Sequence, residues 1–296
     1  MISVLIPVYN YDVTMLVKLL HQQLIAAGIP FEIICLEDGS NEDNILQNAG
    51  IRDLKYTSHF NNNENLGRTH TRQNLAGKAK YKWLLFLDAD VIPSSDNFIK
   101  NYLGEINYKS EAIFGGFAYI KESLISGHEL RWYYGRQKEQ LEAKKRNNTP
   151  FKVIISANLL IKKNKFIILN GQMTFKGYGL DNYFGSLLKS HNISVKHIDN
   201  EVYHLGLESN SVYLRKKEQA AETLLSVYQD NKIVGHQNDL LRLFESFKKY
   251  GLTGVFALIH KHFNAFLKKN LLGKKPSVKL LQLYRISYLC YKYEKS

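Results

Sequence analysis

Short, continuously apolar runs alternate with amphipathic segments through the first two-thirds of the chain, and this pattern limits the possible folds most. The runs predict strands, which we place at residues 3–9, 31–36, 54–58, 83–87, 112–119 and 153–161, with one strand or a pair at 194–204. Residues 12–27 and 67–79 have the apolar spacing of helices. Continuous apolar runs are typical of strands covered on both faces, and strand–helix alternation is typical of βαβ units. The sequence therefore predicts an α/β fold with a mostly parallel central sheet flanked by helices.

The positive charge of the chain is concentrated near its C-terminal end. Lys and Arg exceed Asp and Glu by 13 in the 296 residues, and residues 242–296 carry 12 of the basic residues against two acidic ones. No nucleic-acid recognition motif accompanies them, so we expect no nucleic-acid partner.

The two cysteines are too few for a disulfide scaffold, and no apolar run has the roughly 18 residues of a membrane-spanning helix. We therefore expect a cytoplasmic protein.

The last third of the chain has a helical pattern. Residues 240–269 and 277–291 are predicted to be helices with an apolar and a basic face. Two interpretations remain open: the helices pack on the preceding domain and expose their lysines, or they lie on an anionic membrane surface, at the inner face of the plasma membrane. We place the domain boundary between a first domain of residues 1–207 and a basic helical extension of residues 208–296.

Polar residues follow three of the predicted strands, at the edge where open α/β sheets bind ligands. These strands end in Pro7-Val8-Tyr9-Asn10, in Glu37-Asp38-Gly39-Ser40 and in Asp88-Ala89-Asp90. In extended backbone the two aspartates of the last triplet point to the same side and can share one Mg²⁺ or Mn²⁺. The alternative is a solvated strand-to-loop turn, but two carboxylates at the end of a buried strand repel each other unless a cation lies between them.

Five segments in this order resemble the family 2 glycosyltransferases with the GT-A fold, whose central sheet is Rossmann-like. The matching segments are Ile2 to Asn10, Glu37 to Ser40, Asn65-Leu66-Gly67-Arg68 with Arg72, Phe86 to Asp90, and Gly177-Tyr178-Gly179 through Asp181 to His204-Leu205-Gly206. The resemblance ends near residue 207. It implies the transfer of a sugar from a nucleotide diphosphate donor to an acceptor, with inversion at the anomeric carbon.

The resemblance also implies which residues bind the donor. Asp38 would bind the donor base, or else form a local turn with Gly39, and Tyr9 would stack on the base or pack in the core. Arg68 and Arg72 lie one helical turn apart and could neutralise a diphosphate, although a solvated basic face is the alternative for Arg68. The predicted donor-binding residues are Pro7, Tyr9, Asn10, Asp38, Asn65, Arg68, Arg72, Asp88 and Ala89.

Three residues are predicted to hold the Mn²⁺ or Mg²⁺ ion that the resemblance implies. Asp90 is the first choice. Asp88 either joins it or holds the donor ribose, and His204 matches a family position that can supply a third ligand, although a packed histidine is the alternative. The ion would neutralise the departing nucleoside diphosphate.

Inverting transfer by direct displacement needs a carboxylate that takes the proton of the attacking hydroxyl. The resembling enzymes usually have two adjacent acids at this point, whereas this chain has only Asp181, in Leu180-Asp181-Asn182. No other Asp or Glu lies between Glu142 and Asp199. Asp181 is therefore the predicted general base, and it could also cap a helix over residues 182–189.

The resemblance implies the function of a metal-dependent hexosyl or N-acetylhexosaminyl transferase in polysaccharide biosynthesis. The expected donor is a UDP-sugar, and the expected acceptor is a hydroxyl of a glycan or a lipid-linked glycan. The first alternative is a sugar-phosphate nucleotidyltransferase, whose glycine-rich basic signature is replaced here by Pro7-Val8-Tyr9-Asn10. The second is a non-enzymatic, basic nucleic-acid-binding protein.

Overall fold

The computed structural model describes residues 1–106, 109–120, 124–175, 177–230, 232–233 and 235–296. Its strands are β1 (Ile2–Val8), β2 (Phe31–Asp38), β3 (Thr57–Asn62), β4 (Trp83–Leu87), β5 (Val91–Pro93), β6 (Ala112–Phe114), β7 (Phe117–Ala118), β8 (Asn158–Lys162), β9 (Val195–His197) and β10 (Val202–His204). Its helices are α1 (Thr14–Ala26), α2 (Glu42–Ala49), α3 (Arg68–Lys78), α4 (Phe98–Glu105), α5 (Glu129–Tyr134), α6 (Ala143–Asn147), α7 (Lys163–Gly171), α8 (Asp181–Ser190), α9 (Asn210–Gln229), α10 (Asp239–Lys249), α11 (Thr253–Leu271) and α12 (Val278–Tyr293).

Seven strands form the central sheet in the order β3-β2-β1-β4-β8-β6-β9. Only β8 runs against the others, because β4 and β6 both pair with it antiparallel while the remaining pairs are parallel. The apolar runs of β1, β2 and β4 are buried, and their side chains enter two hydrophobic clusters. The predicted α/β class with a mostly parallel sheet flanked by helices is confirmed.

Three short strands form a second sheet in the order β5-β10-β7. Its strand β5 begins four residues after the end of β4. Strand β10 pairs antiparallel with β5, and this register sets His204 opposite Val91. The pairing brings a histidine from late in the chain to the residue that follows the Asp88-Ala89-Asp90 triplet.

Several predicted strand bounds are wrong. The strand predicted at 112–119 is two strands in different sheets, since the backbone turns at Gly115 and at Gly116, which has a φ of 95°. The third strand begins only at Thr57, after Tyr56 with a φ of 65°, and it continues to Asn62. In the 153–161 run, β8 begins at Asn158. The region 194–204 contains two strands, β9 and β10, which belong to different sheets.

The helical extension packs on the first part of the chain through a shared apolar cluster. Leu130 of α5 joins Tyr213 of α9, Leu267 of α11 and Tyr284 of α12 in that cluster. The single helix predicted at 240–269 is wrong, because Gly251, with a φ of 68°, separates α10 from α11. Among the described residues, no helix combines the length and the apolar character needed to cross a bilayer. The boundary at 207/208 stays a prediction.

Candidate active site

A cavity of about 1080 Å³ opens beyond the carboxyl ends of β1, β2 and β4. Strand ends, the start of α3, the segment before β8 and the loop before α8 supply part of its wall. Helices α5, α7, α9, α10 and α12 also contribute residues. Most of the predicted site residues line it: Pro7, Tyr9, Asp38, Asn65, Arg68, Arg72, Asp88, Asp90, Asp181 and His204. Asn10 and Ala89 are not in its wall.

The buried carboxylate of Asp38 anchors the loop that precedes α3. It accepts hydrogen bonds from the backbone N–H groups of Leu66 and Gly67, both at 2.9 Å. The turn with Gly39 is therefore not its main role in the fold. The Tyr9 ring is 56% exposed in the cavity wall, so it is not a core tyrosine and offers a face for stacking.

Two arginines of α3 hold Asp88. Arg68 Nη2 lies 2.5 Å from one carboxylate oxygen and Arg72 Nη2 lies 2.6 Å from the other. Arg72 also donates to the backbone carbonyl of Ser156, at 2.9 Å. Burial alone would raise the pKa of Asp88, but the two guanidinium groups lower it to about 2. Asp88 is therefore an ionised anchor for both arginines.

Asp90 and His204 face each other across the turn that follows β4. Asp90 Oδ2 lies 3.6 Å from His204 Nε2, and the backbone N–H of Leu205 donates to the Asp90 carbonyl at 2.9 Å. Gly206 is needed here, because a Cβ atom at that position would collide with the Asp90 carboxylate. Burial raises the pKa of Asp90 and lowers that of His204.

This pair fits a hard divalent ion. A carboxylate oxygen and an imidazole nitrogen converge, and positions would remain for phosphate oxygens and water. The buried Nδ1 of His204 has no hydrogen-bond partner among the described residues. Within the same residues, no group of three or more His, Cys, Asp or Glu side chains could hold a metal ion. The predicted trio of Asp88, Asp90 and His204 therefore does not converge, because the arginines hold Asp88, and a metal role for Asp88 would require them to move.

Asp181 opens α8 and points towards the same arginines. Its carboxylate accepts a hydrogen bond from Ser156 Oγ at 2.5 Å and lies 3.9 Å from Arg68 Nη1. The predicted capping role is wrong, since Leu180 occupies the N-cap position and no side-chain cap forms. With 41% of its side chain exposed, Asp181 remains open to the cavity.

A buried charged network that the sequence did not predict also lies at the cavity. Arg131 of α5 forms an ion pair with Glu139 at 2.8 Å, and Tyr119 donates a short hydrogen bond to the same glutamate. Arg131 holds the pKa of Glu139 at about 2 against the effect of burial. Lys217 of α9 and Arg285 of α12 also line the cavity. Nothing local distinguishes them from surface charges, because helix packing alone turns them inward.

Comparison with known proteins gives a family and a fold. The family described as Glycosyl transferase family 2 matches residues 3–166. The fold is similar to that of S. aureus TarS, with 15% identity and a TM-score of 0.51. The match covers 76% of this chain but only 39% of the TarS chain. It is similar to the mannosyltransferase PcManGT from Pyrobaculum calidifontis in complex with GDP-Man and Mn²⁺, with 12% identity and a TM-score of 0.58 over 100% of this chain and 88% of that one.

A third similar structure is glucosyl-3-phosphoglycerate synthase from Mycobacterium tuberculosis in complex with Mn²⁺, UDP and phosphoglyceric acid. It has 13% identity and a TM-score of 0.50 over 76% of this chain and 77% of that one. No curated protein matches the chain. At such identities the structural likeness is evidence for the fold only.

Proposed function

The chain belongs to glycosyl transferase family 2, and from this premise we propose that it is an inverting, metal-dependent enzyme that transfers a sugar from a UDP-sugar to a glycan or lipid-linked glycan hydroxyl. As a glycosyltransferase it is an enzyme, so a purely nucleic-acid-binding role is set aside. The observation that carries the proposal is the chain of contacts Asp88–Arg68–Asp181 beside the Asp90 and His204 pair, all in one cavity.

The donor would lie along the carboxyl ends of β1, β2 and β4. Its base would reach the exposed ring of Tyr9 and the edge of Asp38. Its diphosphate would lie near Asp90 and His204, the two residues that would hold Mn²⁺ or Mg²⁺. The bound ion would neutralise the nucleoside diphosphate as it leaves. Two similar structures that were solved with Mn²⁺, one with GDP-Man and one with UDP, support this choice of cofactor and donor class.

Asp181 would act as the general base. Its carboxylate is open to the cavity, and the hydrogen bond from Ser156 fixes one oxygen. The second oxygen faces Arg68 at 3.9 Å, which is too long to keep it from an acceptor hydroxyl. The carboxylate would take the proton as that hydroxyl attacks the anomeric carbon, which displaces the nucleoside diphosphate from the opposite face.

We also propose that α11 contacts an anionic membrane surface, where a lipid-linked acceptor would be found. Its side chains Val255, Leu258, Phe263 and Phe266 are each more than half exposed. Lysines at 261, 269, 274 and 275 are exposed around this apolar stripe. An apolar stripe bordered by lysines is the pattern of helices that lie in the interface of anionic membranes. The protein would then work at the cytoplasmic face of the plasma membrane.

The test is a panel of nucleotide sugars with Mn²⁺, assayed for nucleoside diphosphate release with and without a glycan and membrane-lipid extract as acceptor. We expect Asp181→Asn to lower kcat by roughly 10²- to 10⁴-fold, because the amide keeps the Ser156 contact but cannot accept the proton. Donor affinity should stay unchanged. The matched control is Asp239→Asn, since Asp239 lies in the same cavity wall but pairs with Lys152 at 2.6 Å. Turnover by Asp181→Asn within threefold of the wild type would exclude the base role, and no release from any nucleotide sugar would exclude the function.

A further inference from the structure

Two basic side chains of the cavity wall that are not exposed have no acidic partner among the described residues: Lys217 and Arg285. Lys217 is only 9% exposed, and its amino group lies 4.2 Å from the ring centre of Tyr134 and 4.8 Å from that of Tyr213. Arg285 donates from Nη1 to Gln282 at 3.0 Å, and its buried Nε has no partner. Across the described parts of the chain, no carboxylate lies within ion-pair distance of either residue.

The other cations of the wall differ in this respect, the exposed Lys138 apart. Each is paired with a carboxylate: Arg68 and Arg72 with Asp88, Arg131 with Glu139, Lys152 with Asp239, and Lys216 with Glu208. Lys217 and Arg285 thus lack the close carboxylate partner that the other cations have, although both line the same cavity.

The charges of Lys217 and Arg285 act on each other and on the Tyr134 hydroxyl. Burial lowers the pKa of Lys217, and the charge of Arg285 lowers it further, against the opposing effects of Tyr134 and Glu139. Burial alone would raise the pKa of the Tyr134 hydroxyl, but Lys217 and Arg285 hold it below its ordinary value. The amino group of Lys217 contacts two aromatic rings, and Glu139 acts on it only from beyond ion-pair distance. A cation buried in this way is costly unless a ligand supplies further negative charge.

Lys217 lies near the loop of the proposed acceptor site, which ends at Asp181. Ala220, three residues after Lys217 on α9, packs so closely on Gly179 that a Cβ there would lie 2.7 Å from it. Gly179 belongs to the loop that ends at Asp181, and residues three apart share a helix face. Lys217 therefore borders the loop that holds Asp181, the proposed general base. Tyr9 and Asp38, which would bind the nucleobase of the donor, lie instead at the ends of β1 and β2.

We propose that Lys217 and Arg285 form a phosphate subsite for the acceptor, so that the acceptor is a phosphate-bearing molecule whose hydroxyl is presented to Asp181. Two unpaired cations match the two charges of a phosphate monoester, whereas a carboxylate would leave one of them uncompensated. Arginine and lysine together also provide the donors that phosphate oxygens accept. The assignment to the acceptor rests on the proposed function.

The test is calorimetric titration of the full chain with methyl phosphate, first without nucleotide and then with saturating UDP and Mn²⁺. We expect saturable binding in both conditions, and at least about tenfold weaker binding in Lys217→Met and in Arg285→Gln. Methionine keeps an aliphatic chain over Tyr134. The matched controls are Arg215→Gln on α9 and Lys279→Gln on α12, both exposed and outside the cavity wall, and they should bind like the wild type.

Further arms identify the kind of phosphate. Dimethyl phosphate has only one charge, so we expect it to bind more weakly than methyl phosphate, and equally tight binding would contradict the match to a phosphate monoester. Acetate that binds as tightly as methyl phosphate would overturn the phosphate assignment. Competition between methyl phosphate and UDP, or a loss of UDP affinity in the two variants, would overturn it by assigning the pair to the donor. A chain that binds no UDP at all would contradict the proposed donor, while the titration without nucleotide would still test the subsite.

Discussion

Asp88 and Asp90 are two residues apart, yet the structure gives them opposite environments, and the variants Asp88→Asn and Asp90→Asn test this difference. Asp88 neutralises Arg72, whose side chain is only 6% exposed and whose buried Nε has no hydrogen-bond partner among the described residues. Asp90 has no arginine partner within ion-pair distance among the described residues, and burial raises its pKa. The Asp88 carboxylate therefore stabilises the fold. Burying the Asp90 carboxylate costs free energy, and a bound cation would remove that cost.

The size of the effect follows from these contacts. Removing one partner of a buried ion pair costs about 3–5 kcal/mol. Asparagine keeps one acceptor oxygen and Arg72 keeps its bond to the Ser156 carbonyl, so we expect a loss of about 2 kcal/mol for Asp88→Asn. For a chain of 296 residues that lowers Tm by roughly 3 °C. Asp90→Asn should leave Tm in EDTA unchanged or slightly higher, because it removes a poorly solvated negative charge.

The assay is thermal unfolding of both variants in EDTA and in Mn²⁺ with UDP. Mn²⁺ should raise the Tm of the wild type and of Asp88→Asn but not that of Asp90→Asn, since a ligand stabilises only a fold that can bind it. The reasoning would be refuted if Asp88→Asn unfolded like the wild type in EDTA and lost its response to Mn²⁺. That result would make Asp88 a metal ligand instead of the anchor of two arginines.

Three further predictions concern other parts of the molecule. The buried His197, with a pKa of about 4 against an ordinary 6.5, gains a proton on unfolding, so stability falls as the pH drops from 6.5 to 4. In urea titrations this fall should be about 3 kcal/mol larger for the wild type than for His197→Phe, and parallel profiles would contradict it. Gly206→Ala should weaken Mn²⁺-dependent UDP binding at least tenfold by displacing Asp90, whereas Gly254→Ala, with open space around its Cβ position, should not; equal affinities would argue against the Asp90 site. Phe263→Asp should abolish flotation with anionic liposomes, and flotation equal to that of the wild type, or equally strong flotation with zwitterionic liposomes, would exclude the proposed membrane contact.

Much of the sheet was predictable because its signals are local. The apolar runs of β1, β2 and β4 have to be buried on both faces wherever they lie, and consecutive parallel strands then bring their carboxyl ends to one edge. The acidic and aromatic residues that follow those strands could therefore be assigned to a common site. The errors occurred where tertiary contacts override local pattern, as at Gly115, where the space for a side chain is filled by the Asn200 backbone and the apolar run breaks into two strands.

The site itself divides in the same way. Local pattern assigned Asp38 and Asp90 to strand ends at one edge of the sheet. The resemblance to family 2 glycosyltransferases then implied the donor role of Asp38 and the acceptor-side role of Asp181. Which carboxylate pairs with arginine and which faces His204 depends on the rotation of α3 and on the register of β10, neither of which any short segment encodes. The inward direction of Lys217 and Arg285 depends in turn on helices packed against a distant part of the chain. Charged side chains are long and locally indifferent to burial, so only the assembled fold decides whether they meet water, a carboxylate or a substrate.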